Sequence, residues 1–508
     1  MTDYLTEDYA ADALADSIVV TPGDARYDLL ARADNYRFVA RPDYFHLVHS
    51  ADQVERALGA AVAAGKRVTV RSGGHCGEDF VAAPDVEVII DLSPMSRVGF
   101  DPRRNSFFIE PGASIGPALR TLFRNWGVTL PAGFCMGVGA GGHICGGGYG
   151  PLSRLFGLTV DYLEAVEVVV VDEHGATATV TATRAEDDPN RDLWWAHTGG
   201  GGGNFGVVTR YWLRAPGAEA TDPALLLPRP PSTVRIVEVQ WPWENLSESA
   251  FVRLGTAFQR WQLANSAPDS PNIGLYALLR CMHRSAGHLA MHAQIPDGPD
   301  AGRRMDEFLA ELACGVPPSV RRQTLPWLAA ARYLAVPDTG PWAIAVRRKV
   351  KSADLRAAHT PEQLRAAYRH LSNPAYTGPN SSMEYIGYGG RVNTVGPSQT
   401  AIPRGAILKT FFMTSWNDPA EDDAHLTWLR EIYRDIYAET GGVPVPNEVN
   451  TGAYINYPDI DLADPEWNTS GVPWSTLYYG ANYPRLQQIK ALWDPRNVFR
   501  HALSIRPA

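Results

Sequence analysis

Glycine is concentrated in two short stretches, and nothing else in the 508 residues restricts the fold as sharply. Nine of the 18 residues from Gly133 to Gly150 are glycine, and six of the eight from Gly199 to Gly206. A helix loses ~1 kcal/mol for each glycine it holds, so neither stretch predicts regular structure. Glycine instead allows positive φ and close approach of backbone to a ligand, and consecutive N–H groups can nest an anion. Phe134, Ile144, Tyr149, Leu152, Phe156 and Leu158 bring apolar mass that a solvated loop would not carry. A phosphate cradle is the expectation.

Two segments match the G-x-G-x-x-G fingerprint: Gly137-Val138-Gly139-Ala140-Gly141-Gly142 and Gly201-Gly202-Gly203-Asn204-Phe205-Gly206. In a dinucleotide-binding unit that pattern follows a strand and opens a helix. The first runs into HICGGGYG, too glycine-rich for a helix, and the second into the strand-like VVTRYW, so neither predicts a nicotinamide site.

The rest of the chain frames these loops. Ser50-Ala51-Asp52-Gln53 opens an Ala-rich helix that Gly65 closes. Strands are expected at SIVV before Pro22, at 67–70, 86–92, 107–110, 161–171 and 207–213, and a helix from Ser114 to Gly127. A Pro-rich seam at 223–231 marks a domain boundary. Beyond it strands mix with helices at 300–312, 361–371, 421–438 and 484–493. The net charge of −9, from 46 basic and 55 acidic residues, argues against a sequence-independent nucleic-acid binder. No apolar run reaches the ~18 residues of a membrane span. The acidic N-terminus is unlike a signal peptide, and five cysteines make no disulfide framework. A cytoplasmic location is expected.

His75 and Cys135 carry the clearest chemistry. On residue type alone, His75 reads as a hydrogen-bonding loop histidine and Cys135 as a small buried apolar residue. A metal site of His75, Cys76, Cys135, His143 and Cys145 would lack both C-x₂-C and H-x₃-H spacing. A more specific reading comes from the surrounding residues. RSGGH at 71–75, PAGFC at 131–135, GVGAGGHICGGGYGPLSRLFGLTVDYL, HTGGGGGNFGVVT, and YYGANYPRL with DPRNVF near the end resemble the vanillyl-alcohol-oxidase-type flavoproteins, and among them the berberine-bridge-enzyme-like oxidases. AYINYPDIDLADPEWNTSGVPW at 453–474 is similar to the actinobacterial glycopeptide-tailoring hexose oxidases.

The resemblance implies an α+β fold. A two-subdomain FAD-binding domain would span 1–218, completed by 476–508, and 219–475 would form a substrate domain with an antiparallel sheet backed by helices. It implies FAD bound twice, through His75 at the 8α-methyl and Cys135 at C6. Arg71, Ser72, Gly73 and Gly74 would wrap the pyrophosphate, continued by Gly137, Val138, Gly139, Gly141 and Gly142. Gly147, Gly148 and Ser153 would line the ring or ribityl side. Asp161 would be an organiser, Gly206, Val207 and Val208 would run beside the adenine half, and Asn482 would be a further contact.

By the same resemblance Tyr478, ahead of Tyr479, is the base for the substrate hydroxyl. Tyr388, Asn393, Tyr454 and Tyr457 are candidate substrate contacts, with Tyr388 also a catalytic candidate. The segment from Tyr385 to Asn393 shows no acid where the plant alkaloid enzymes carry a glutamate base, which favours alcohol oxidation over amine ring closure. The expected activity is oxidation of an alcohol on a sugar, glycoside or glycopeptide-like natural product, with O₂ reduced to H₂O₂ and a four-electron course to the acid included. The alternatives are a dehydrogenative cyclase or ketone-forming oxidase of a polyketide, and a non-catalytic flavin-containing carbohydrate-binding protein.

Overall fold

A cap sets where the first long helix begins. In the computed structural model, which describes residues 17–334 and 346–508, Ser50 Oγ accepts from Gln53 N at 3.3 Å and Gln53 Oε1 accepts from His49 N at 2.8 Å. Such a cap is worth ~1 kcal/mol. The helix Ala51–Ala63 then buries Val54, Leu58 and Ala61. The acidic N-terminal stretch that bears on targeting lies outside the described residues.

Three sheets organise the chain. The first joins Ile18–Val20, Tyr44–Leu47, Val88–Asp91 and Val68–Arg71 in that spatial order, the last three parallel. Its central strand is Val88, Ile89 and Ile90 at zero exposure, ending on Asp91; burial on both faces is what a parallel strand needs. The second is antiparallel, in the order Val98–Asp101, Ser106–Ile109, Val207–Leu213, Leu163–Val171 and Thr177–Thr183. Val169, Val171 and Val207 pack it against the first sheet. The third is an eight-stranded antiparallel sheet, all of whose strands lie between Thr233 and Gly452. The helices Glu248–Ala264, Pro361–Leu371 and Asp422–Ile436 cover one of its faces; Tyr385, for instance, points there, its hydroxyl bonded to His359 Nδ1 at 2.8 Å. The other face turns toward the glycine loops.

The structure corrects the reading of the first glycine stretch. Ala140–Cys145 is a six-residue helix that opens directly after Gly139. Long-range contacts outweigh the glycine penalty: Ala140 N donates to Ala113 O and Gly141 N to Pro111 O. A loop precedes this helix, touching Ser114 through one bridge, so the dinucleotide pattern of strand, turn and helix is still not formed. The 17-residue helix Glu248–Ala264 had drawn no expectation. Its apolar positions are interrupted by the buried Gln259 and Gln262, which blur the periodicity.

The C-terminal segment returns to the second glycine stretch. The fully buried Lys490, on the helix Tyr483–Trp493, donates to Asn204 O at 2.6 Å and pairs with Asp494 at 2.5 Å, while Ile505 N donates to Asn204 Oδ1 at 2.8 Å. Among the described residues no helix is long and apolar enough to cross a membrane.

Candidate active site

The two glycine loops close on a cavity of about 310 Å³. One wall is bare backbone. A Cβ on Gly73 would fall 2.5 Å from Gly139 N, and one on Gly141 would fall 2.9 Å from Ser72 Oγ, so side chains cannot fit where these loops meet. Gly74 holds φ +68 and turns the chain so that His75 enters the cavity. Ser72, Gly73, Gly74, Val138, Gly139, Gly141 and Gly142 face it from the first cradle, and Gly206 and Val208 from the second. Arg71 also lines it, but its guanidinium bridges to Asp91 at 2.8 and 2.5 Å, a pair set by the parallel register of the two strands.

His75 and Cys135 line the same cavity. Burial pushes the His75 imidazole down to about 4, so it is neutral near pH 7, with Nδ1 3.1 Å from Asp34 Oδ2. Burial pushes the Cys135 thiol up to about 12, and the Arg280 guanidinium opposes that rise. A neutral imidazole and a thiol, the latter once deprotonated, are side chains that can add to an electrophilic ring. Bare glycine backbone plus these two side chains fits FAD by chemistry. Among the described residues no three His, Cys, Asp or Glu side chains come together as a metal would require.

The opposite wall is built by the eight-stranded sheet. Arg280 on Tyr276–Met282 and Glu384 on Ser382–Gly387 are cross-strand partners, joined Nε to Oε1 at 2.5 Å, and both face the cavity. Phe411 stands opposite Glu384 on the next strand, its ring tilted 47° against that of Tyr457 with centroids 4.5 Å apart. The Tyr457 hydroxyl is 2.8 Å from that of Tyr149. Burial raises both phenols well above 10, whereas the bond from Tyr149 pulls Tyr457 back down. Beside them the buried Lys409 ammonium pairs with Asp354 at 2.7 Å and sits 4.2 Å from the Tyr454 ring centre, 4.6 Å from that of Tyr388 and 5.2 Å from that of Tyr149.

Several expected residues take other places. Tyr478 does not line the cavity: its buried hydroxyl accepts from Asp459 N at 2.9 Å and donates to Tyr457 O at 3.5 Å. Tyr479 is buried too, donating to Gly200 O at 2.9 Å. Tyr388 is packed beneath Lys409, its carbonyl accepting from Arg154 at 2.7 Å. Asn393 lies past the end of the strand, bonded to Ala406 O and Gly405 N, because the chain leaves the sheet at Gly387 and makes a 3₁₀ turn. Asp161 pairs with Arg404 at 2.6 Å, and Asn482 donates to the carbonyls of Pro397, Thr400 and Ala401. Ser153 ties Gly150 N to Pro131 O, Gly148 N donates to the Tyr454 hydroxyl, and Val207 is core. Gly147 packs against Ile402, and Gly137 lines a separate outer groove behind the Ser72–Gly74 loop. Tyr454 and Tyr457, by contrast, do face the cavity.

The segment from Tyr385 to Asn393 holds no acid, but Glu384, the residue just before it, faces the cavity. Glu384, Arg280, Lys409 and Tyr149 drew no expectation as site residues. Three of them left a trace: Arg280, Glu384 and Lys409 are each a lone charge inside an apolar strand, in ALLRCM, SMEYIG and LKTFFM. A buried charge on a strand requires a partner or a ligand.

Two family models match parts of the chain. A family model described as FAD binding domain matches residues 42–179, and one described as berberine and berberine like matches residues 453–506. The aclacinomycin-N/aclacinomycin-A oxidase of Streptomyces galilaeus is 51% identical over 490 residues, covering 95% of this chain and 89% of that protein. The crystal structure of CrmK, a flavoenzyme involved in shunt product recycling in caerulomycin biosynthesis, is 69% identical with a TM-score of 0.96, over 97% of this chain and 100% of that one. The glycopeptide hexose oxidase DBV29, solved with teicoplanin, is 49% identical with a TM-score of 0.92, over 97% and 99%.

Proposed function

The chain belongs to the berberine and berberine-like FAD-dependent oxidases, and from that premise we propose that it oxidises an alcohol on a sugar-bearing or other tailored natural product, with O₂ as the final acceptor. The observation that carries this reading is one cavity end where Cys135, Tyr457 and the Arg280–Glu384 pair converge, opposite a wall of bare glycine backbone. FAD, when bound, supplies the two-electron acceptor for the substrate C–H bond. His75 and Cys135 hold it by two covalent bonds, which leaves the cavity mouth open for a large substrate. None of the five cysteines is in a disulfide, in keeping with action in a reducing cytoplasm. Residues 1–218 with 476–508 serve the cofactor, and 219–475 serve the substrate.

Tyr457, in place of Tyr478, takes the hydroxyl proton. It lines the cavity beside Cys135, whereas Tyr478 is turned away from it. A phenol of ordinary pKa ≈ 10, raised further by burial, needs help to accept a proton near neutrality. Once Tyr457 carries negative charge, the Tyr149 hydroxyl 2.8 Å away donates to it, and the Lys409 ammonium, paired with Asp354, lies over the neighbouring rings. Such cation–ring contacts are worth ~2 kcal/mol when desolvated. Glu384 accepts from, and Arg280 donates to, a second polar group on the substrate. The same pair would accommodate the two hydroxyls of a hydrated aldehyde, so a primary alcohol would continue to the acid.

Anaerobic flavin reduction against a panel of sugars, glycosides and polyketide alcohols tests this reading. A natural-product alcohol should bleach the flavin, and Tyr457→Phe should slow that reduction by ~10²–10³-fold while the flavin stays attached. Reduction at the wild-type rate in Tyr457→Phe would remove Tyr457 as the base.

A further inference from the structure

The segment just before the first sheet's second strand is tied to the His75 loop on both sides. Asp34 N donates to Gly74 O at 3.1 Å, and Asn35 Nδ2 donates to Gly77 O at 2.9 Å. The same asparagine reaches the substrate domain, where Arg348 N donates to Asn35 Oδ1 at 3.1 Å, and Asn35 bridges to Val346. These bonds leave the Asp34 carboxylate little freedom, and they place its Oδ2 3.1 Å from Nδ1 of His75. The guanidinium of Arg348, buried at the cavity wall, contacts that same oxygen. A carboxylate is thus clamped against the His75 imidazole, with an arginine behind it.

We propose that Asp34 is the positioning and proton-accepting residue for covalent attachment of the flavin to His75. The inference rests on the His75 linkage proposed above. In that attachment one C–H bond of the 8α-methyl and one N–H bond of the imidazole break, and a C–N bond forms. The two electrons and two protons stay on the flavin, leaving it reduced until O₂ accepts them as H₂O₂. The imidazole becomes cationic as it adds to carbon. A carboxylate fixed beside the ring stabilises that cation, takes up its proton for transfer onward, and holds the ring in its attacking orientation. Cys135 stands by the Arg280–Glu384 pair and not by Asp34, so its attachment does not depend on Asp34.

The test uses the full-length protein with wild type, Asp34→Asn, Asp34→Glu and Asp34→Ala, read by intact mass and by mapping the flavin-bearing peptides. Wild type should carry flavin on both the His75 and Cys135 peptides. Asp34→Asn, which preserves side-chain volume, should keep the Cys135 linkage while His75-linked flavin falls at least ten-fold, and Asp34→Glu should recover most of it. In folded Asp34→Ala, which retains Cys135-linked flavin, added formate should restore attachment at His75; a residue that only packs would give no such rescue. Wild-type His75 attachment in Asp34→Asn, or no restoration by formate in Asp34→Ala, would overturn the proposal. Absence of His75-linked flavin in wild type would overturn the linkage reading itself, a separate result.

Discussion

The cofactor wall and the substrate wall of the cavity are built on opposite principles. The cofactor wall is made by omission: where Gly73 meets Gly139 the chain needs the missing Cβ, and short glycine-bearing segments supply the surface as bare backbone. The substrate wall is made by assembly. Arg280 and Glu384 are 104 residues apart in sequence and meet only because two strands pair in one register. Lys409 joins them from a third strand, balanced by Asp354 on a fourth. A wall made by omission tolerates almost no addition, whereas a wall made of paired charges tolerates concerted replacement more readily than loss of one partner.

The sharpest way to break that contrast is at the glycines. Gly73→Ala would press a methyl group against Gly139 N and should abolish stable flavin retention, read as flavin absorbance per mole of protein. Full flavin content in that variant would mean the loops can part, and the cradle is not closely fitted. The next effect is at Lys409. Changing it alone would orphan the buried Asp354, so Lys409→Met is combined with Asp354→Leu. If the cation–ring contacts hold the tyrosine cluster in its working arrangement by ~2 kcal/mol, flavin reduction should slow by about 30-fold. A reduction rate equal to wild type would sever Lys409 from the tyrosine cluster. The smallest effect is expected at Tyr478. Tyr478→Phe removes a hydroxyl that ties Asp459 N to Tyr457 O, costing ~1 kcal/mol of stability, seen as a lowered Tm. Its reduction rate should stay within ~10-fold of wild type; a loss as deep as that of Tyr457→Phe would restore Tyr478 to the chemistry.

Legibility in the sequence follows the same line. The helix from Ser50, the strand at 207–213 and the helices at 361–371 and 484–493 could be read directly, because caps, alternation and Pro at N1 are local features. The eight-stranded sheet was expected as a class, but its strand order was not, since non-local pairing leaves no periodic trace. Within the loops, residue number did not show which way a side chain points. Asp161 found Arg404, and Asn482 found three carbonyls 81 to 85 residues away. Tyr478 and Tyr457 are both tyrosines near the C-terminus, and nothing in their neighbours states which one faces the cavity.

The sequence by itself determined that this protein would wrap an anionic cofactor in glycine and present His75 and Cys135 to it. That information is local, because the absence of a side chain and the geometry of positive φ act where they stand. Only the tertiary structure decided which tyrosine faces the cavity, that Glu384 and Arg280 face it too, and that Lys409 lies against the tyrosine rings. Those positions depend on strand register and long-range packing, where the free energy comes from pairing charges and rings contributed by segments far apart in the chain.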